Sequence, residues 1–182
     1  MPKQPPEILS KEEIDAIVDA AIDDDFYSCL FTLAKKTGRR LGEYWNVRVQ
    51  DINFENGIML TQVLKRGKYV MKEAVLDLEC LRLLKRLIAV EKLKPEDYVF
   101  RKFGYRTIQN AVKRYAKKAG VKKNVMFHNF RHSFVTELHK RGWDYSQIAK
   151  LTGHSSIGTL AIYDHSVASD FKEDILKELE TM

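Results

Sequence analysis

The chain has 182 residues, 45% hydrophobic and 31% charged, and its 31 Lys and Arg against 25 Asp and Glu give a net charge of +6. That length supports one hydrophobic core of ordinary size, and the balance of apolar and charged residues excludes a disordered or collagen-like chain. No apolar run approaches the roughly 18 residues of a membrane span, and two cysteines, Cys29 and Cys80, are too few for a disulfide framework and read as buried, reduced thiols.

Taken in chain order, residues 1–8 read as a loose leader because three prolines fall within the first six positions. Ser10-Lys11-Glu12-Glu13 is a capping box, and Ile14, Ile17, Val18, Ala21 and Ile22 follow at helical spacing. A second helix is predicted from Phe26 to Lys36, ending near Gly38. The pattern then changes period: Ile58, Leu60 and Val63 precede a turn at Arg66-Gly67, and Tyr69 and Val70 follow it, which predicts a β-hairpin. Leu78 to Val90 is apolar at three-to-four spacing and reads as a helix. Another is predicted from a cap at Thr107 through Lys118, stopped by Gly120. Three short helices are expected over about 129–140, 145–151 (opened by Asp144) and 156–163, and Phe171, Ile175, Leu176 and Leu179 mark a last amphipathic one. The fold class is therefore mainly α with a small antiparallel β-sheet.

The net charge is unevenly distributed. Residues 1–25 hold two lysines against eight acids, net −6, and residues 164–182 hold two lysines against six acids, net −4. The body between them carries 27 basic and 11 acidic residues, net +16. Its basic residues come in four clumps, around Lys35–Arg40, Lys65–Lys68, Arg101–Arg106 and Lys113–Lys123. One clump is commonly a solvated face, but four in one domain favour a surface that tracks phosphates. The acidic ends read as candidates for protein contacts or for self-shielding.

Three short motifs are weak singly and specific together. Thr37-Gly38-Arg39-Arg40-Leu41-Gly42-Glu43 lies upstream, His128-Asn129-Phe130-Arg131 follows, and then Thr152-Gly153-His154-Ser155-Ser156 with Tyr163 nine residues past His154. In this order and spacing the sequence resembles the tyrosine recombinases, the phage-integrase and Xer-type family, over roughly residues 30 to 165. Glu43, three residues after Arg40, and Asp51 add to the resemblance. It implies a tyrosine recombinase catalytic-domain fold over residues 9–167, followed by a C-terminal helix at 168–182 that docks on a neighbouring protomer or on its own. The family's additional N-terminal helical clamp has no room in this length, so the sequence is read as an excised catalytic domain or a minimal member.

The resemblance also assigns roles by chemistry. A phosphodiester repels nucleophiles through its own charge, and two guanidinium groups match and neutralise its oxygens. Arg40 and Arg131 are expected to do so, with Tyr163 as nucleophile, His128 as general base and His154 as a donor to the scissile phosphate. A hairpin lysine protonates the departing 5′-oxygen: Lys65 fits best, Lys68 second, and Lys72 lies nearby. Counting from Thr37-Gly38 and toward Glu43 and Asp51 selects Arg40, leaving Arg39 as a solvated neighbour. His128 and His132 stand four apart as half of a zinc site, but no third ligand is spaced to complete it. No metal is expected, because the arginines and the lysine do what magnesium would, and no nucleotide cofactor, because the bond energy is kept in a phosphotyrosine. The expected partners are double-stranded DNA and further copies of the chain, as dimers or tetramers on DNA, without a membrane and in the cytoplasm with the nucleoid. Rival readings are a type IB topoisomerase and a non-catalytic DNA-binding protein.

Overall fold

The computed structural model describes residues 8–65 and 67–153. Helix α1 (Lys11–Asp19) opens on the expected capping box: the Ser10 hydroxyl accepts the Glu13 N–H at 3.2 Å, and Glu13 accepts the Ser10 N–H at 2.7 Å. Helix α2 (Asp25–Thr37) is capped by Asp24, whose carboxylate accepts from Phe26 and Tyr27. Phe26 to Ala34 are all buried, Ser28 and Thr32 included, so α2 is enclosed all round and forms the central post of the domain. Against it pack α1, α4 (Leu78–Val90, with Cys80, Leu84 and Leu87 inward) and α6 (His128–Lys140). Cys29 and Cys80 are buried free thiols, as expected.

Aromatic side chains knit the centre. Tyr27 stacks on Phe103 with ring centroids 5.5 Å apart, and Phe31 contacts both Tyr115 of α5 (Tyr105–Lys118) and Phe130 of α6. Each such ring removed from water contributes about 2–3 kcal/mol.

The sheet has three antiparallel strands in the order β1 (Ile52–Asn53), β2 (Ile58–Lys65), β3 (Lys68–Val75). The hairpin closes where predicted, with Lys65 paired to Lys68 and Gly67 at φ 77°; Arg66 of the expected turn lies outside the described residues. Along β2, Met59, Thr61 and Val63 alternate toward the protein, whereas β3 is exposed from Lys68 to Glu73 and buries Ala74.

Several expectations are adjusted. Strand β1 and the short helix α3 (Leu41–Trp45) carry too few residues to display a period and were not expected. Helix α5 begins two residues before Thr107, because Gly104 is extended and its carbonyl accepts the Ile108 N–H at 3.1 Å. Thr107 therefore lies inside the first turn. Helix α7 (Tyr145–Thr152) opens on Asp144 as expected, with Gln147 completing a second capping box. The helices expected at 156–163 and 168–182 lie outside the described residues.

Three of the acids in residues 1–25 pair with the body. Asp15 pairs with Lys35 at 2.5 Å, Glu13 with Lys123 at 2.7 Å and Asp25 with Arg86 at 2.7 Å. Lys36 pairs with Asp77 and Glu79, and Lys102 with Glu91 at 2.5 Å. The pairs from Glu13, Asp15 and Asp25 thus offset three of the 16 excess positive charges of the body. Arg106, Lys113 and Lys117, all exposed along α5, keep their charge on the surface.

Candidate active site

The site begins where α2 ends. Gly38 caps α2 in the left-handed conformation, φ 60°. A β-carbon there would overlap the Phe134 ring, whose Cγ would be 3.0 Å away, so the position needs glycine both for its backbone and for its bareness. Around this turn Thr37 Oγ1 donates to the Leu33 carbonyl at 3.0 Å and meets the Tyr44 hydroxyl at 2.6 Å. The Tyr44 hydroxyl also accepts the Arg39 N–H at 3.3 Å. Burial pushes Tyr44 well above its ordinary range, so it stays a neutral phenol that holds the turn.

Arg40 is the last extended residue before α3. Its Nη1 donates to Glu43 Oε1 at 3.1 Å across one helical turn, and the arginine side chain is 41% exposed while the carboxylate is 5% exposed. The pair is therefore asymmetric: a fixed, buried anion aims a cation whose other side faces outward.

Helix α6 carries the second half. Arg131 is fully buried, and its Nη1 donates to the carbonyls of Gly38 at 3.0 Å and Thr152 at 2.8 Å. One guanidinium thus ties the Gly38 turn to the end of α7. Three residues earlier, His128 begins α6 with one side open to solvent. Desolvation of its ring, then the charges of Arg131 and Arg40, hold the imidazole below its ordinary range. Both arginines acting on one histidine marks Arg40, His128 and Arg131 as a single electrostatic cluster. His132 packs edge-on to His128 with centroids 4.5 Å apart. Burial, His128 and Arg131 together pull it down to about 4.

The remaining expected residues fall as follows. Lys65 closes β2 opposite Lys68 at the hairpin tip, and Lys68 is exposed; Lys72 pairs across the ladder with Thr61. His154 and Tyr163 lie outside the described residues. Gly153, directly before His154, caps α7 in the left-handed conformation, φ 74°, one residue past the Thr152 carbonyl that Arg131 holds. Among the described residues no group of three His, Cys, Asp or Glu side chains is placed to hold a metal ion, and no helix is long and apolar enough to cross a membrane.

Arg39 departs from expectation. It is not solvated but 1% exposed, with Nη2 donating to the Glu73 carbonyl of β3 and Nη1 3.9 Å from Glu43 Oε2. The residue that follows the Gly38 turn runs inward, so the charge that composition assigns to the surface is in the interior. Beside the site, Arg101 also has a structural role. It lies 3.4 Å over the Tyr98 ring and donates to the Trp45 carbonyl and the Asn46 side chain. Sequence spacing carries no signal for either contact.

Against known proteins, the model of the phage integrase family matches residues 7–169. The chain is 31% identical over 186 residues to tyrosine recombinase XerA of Pyrococcus furiosus, covering 96% of this chain and 63% of that protein. Among solved structures it is similar to the XerA recombinase, with a TM-score of 0.80, 28% identity, and coverage of 98% of this chain and 65% of that one. It also shares the fold of the XerH site-specific recombinase bound to its difH substrate, at a TM-score of 0.75 and 23% identity, covering 96% of this chain and 55% of that one. The chain thus spans rather less than two thirds of the length of these relatives. With the family match running through the Gly38 turn, the hairpin and α6 alike, the chain belongs to the phage integrase family.

Proposed function

We propose that this chain is the catalytic domain of a tyrosine recombinase, which cuts and rejoins DNA strands through a 3′-phosphotyrosyl intermediate. The observation that carries the reading is the convergence of Arg40, His128 and Arg131 from two distant segments, drawn together by the Arg131 bond to the Gly38 carbonyl. Two guanidinium groups beside a neutral imidazole suit a phosphodiester: the cations offset the charge that grows on phosphorus oxygens, and the imidazole accepts a proton. Binding alone needs no such base.

The proposed step balances as follows. The Tyr163 oxygen attacks phosphorus while His128 takes the phenolic proton. The bond from phosphorus to the 5′-oxygen breaks, and Lys65, or Lys68 at the same hairpin tip, gives that oxygen a proton. His154 donates a hydrogen bond to the phosphate. Rejoining runs the same transfers in reverse, so the phosphotyrosine preserves the bond energy and no nucleotide is consumed. The partner is double-stranded DNA, bound by two or four copies of the chain, which places the protein with the nucleoid. Solved complexes of the XerH recombinase with difH and of a λ integrase dimer on its core site support this by likeness of fold.

The test is incubation with nicked suicide DNA substrates and denaturing electrophoresis. A covalent adduct is expected, and Tyr163→Phe should abolish it while leaving DNA binding that weakens steeply with salt. An adduct that survives Tyr163→Phe overturns the nucleophile; no adduct on any substrate, with binding intact, favours a DNA-binding protein without chemistry.

A further inference from the structure

A buried arginine is costly unless its charge is matched, so its partners show what it holds in place. Arg39 touches three segments at once. On its own turn, Nη1 is 3.9 Å from Glu43 Oε2, while Arg40 takes Glu43 Oε1 at 3.1 Å, so one buried carboxylate lies between two cations. On the hairpin, Nη2 donates to the Glu73 carbonyl, and that carbonyl belongs to the strand paired with β2. On α7, the guanidinium fills the space left by a glycine: a β-carbon at Gly153 would stand 2.7 Å from Arg39 Nη1 and 3.7 Å from Val63 Cγ2. These segments carry Arg40, the hairpin lysines and the approach to His154.

We infer that Arg39 is a positioning residue of the strand-cleavage site, bracing the Arg40 turn, the hairpin and the Gly153 turn through one buried guanidinium and sharing Glu43 with Arg40. The inference rests on the proposed recombinase reading. Its physical content is charge balance as well as geometry. Glu43 is 4% exposed and requires a counter-ion. With Arg39 present, the carboxylate is shared, and Arg40 retains positive charge for a phosphate. Without it, Arg40 becomes the sole counter-ion to a buried anion and is drawn toward it. Arg39 itself is 1% exposed and has no surface to offer a DNA phosphate, so its loss acts on the rate of cleavage and not on DNA affinity.

The experiment measures single-turnover adduct formation on a suicide substrate at saturating DNA, together with DNA Kd and thermal melting, for the wild type, R39M, R39K, E43Q and R39M/E43Q. R39M should cleave about 10- to 100-fold more slowly, the scale of a small misplacement of a reacting group, with Kd unchanged. R39K, which keeps the charge, should recover part of the rate. R39M/E43Q should cleave faster than R39M, because neutralising Glu43 releases Arg40; a residue that merely fills space gives no such rescue. If R39M does not fold, R39K and the double variant decide. A wild-type rate in R39M, equal proportional losses of rate and affinity, or a double variant no faster than R39M overturns the inference. Should R39M be unfolded, a double variant that folds yet is slower than E43Q by the full factor lost in R39K also overturns it. Failure of the wild type to form any adduct sinks the recombinase reading instead.

Discussion

The Phe134 ring of α6 occupies the space that a β-carbon on Gly38 would need. Two elements nearly a hundred residues apart are thereby packed face to face, and the Arg131 bond to the Gly38 carbonyl closes the same contact. Gly38→Ala should therefore lower stability by about 2–5 kcal/mol, combining left-handed strain with overpacking. Chemical denaturation of the two proteins measures it; a loss under about 0.5 kcal/mol means that the turn and Phe134 yield easily.

Removing Arg131 has two separable effects. The side chain is fully buried and serves the carbonyls of both Gly38 and Thr152. Arg131→Ala should cost about 2–4 kcal/mol, since buried acceptors lose a charged donor, and should abolish adduct formation. Arg131→Lys keeps the charge but not the fork, so it should recover stability more than activity. A lysine variant with full cleavage activity contradicts the bidentate role.

As the proposed general base, His128 should set the acid limb of the cleavage rate. Because desolvation and two nearby guanidinium groups hold its imidazole below the ordinary range, the midpoint of that limb should lie below pH 6.5. His128→Ala should reduce the rate about 10²- to 10⁴-fold and remove that limb from the profile. A limb centred above pH 7 in the wild type contradicts the assignment.

His132 is a stability determinant on the acid side. Its folded value of about 4 lies below the ordinary 6.5, so the unfolded chain binds a proton that the native protein refuses. Stability is then full above about pH 6.5 and declines as pH falls toward 4, by on the order of 3 kcal/mol from this residue alone. Melting temperatures followed from pH 7 to pH 4 should fall less steeply in His132→Gln. Parallel curves for the two proteins rule out His132 as the cause.

Features that neighbours along the chain decide were legible before any fold was known. The Ser10–Glu13 box, the Asp144 cap, the hairpin closed by Lys65 and Lys68 and the helix over 78–90 each rest on groups within four residues or on one period, and each is where the pattern puts it. The motif spacing marked Arg40, His128 and Arg131 for the same reason: residue type and separation are written in the chain. Tertiary structure alone decided which way those side chains turn and what they touch. Arg39 looks like one more surface charge until Glu73, Glu43 and Gly153 enclose it from three segments. The low value of His132 exists only because burial and two cationic or titrating neighbours meet there. Both are products of desolvation and long-range packing, which a linear pattern of residues does not encode position by position.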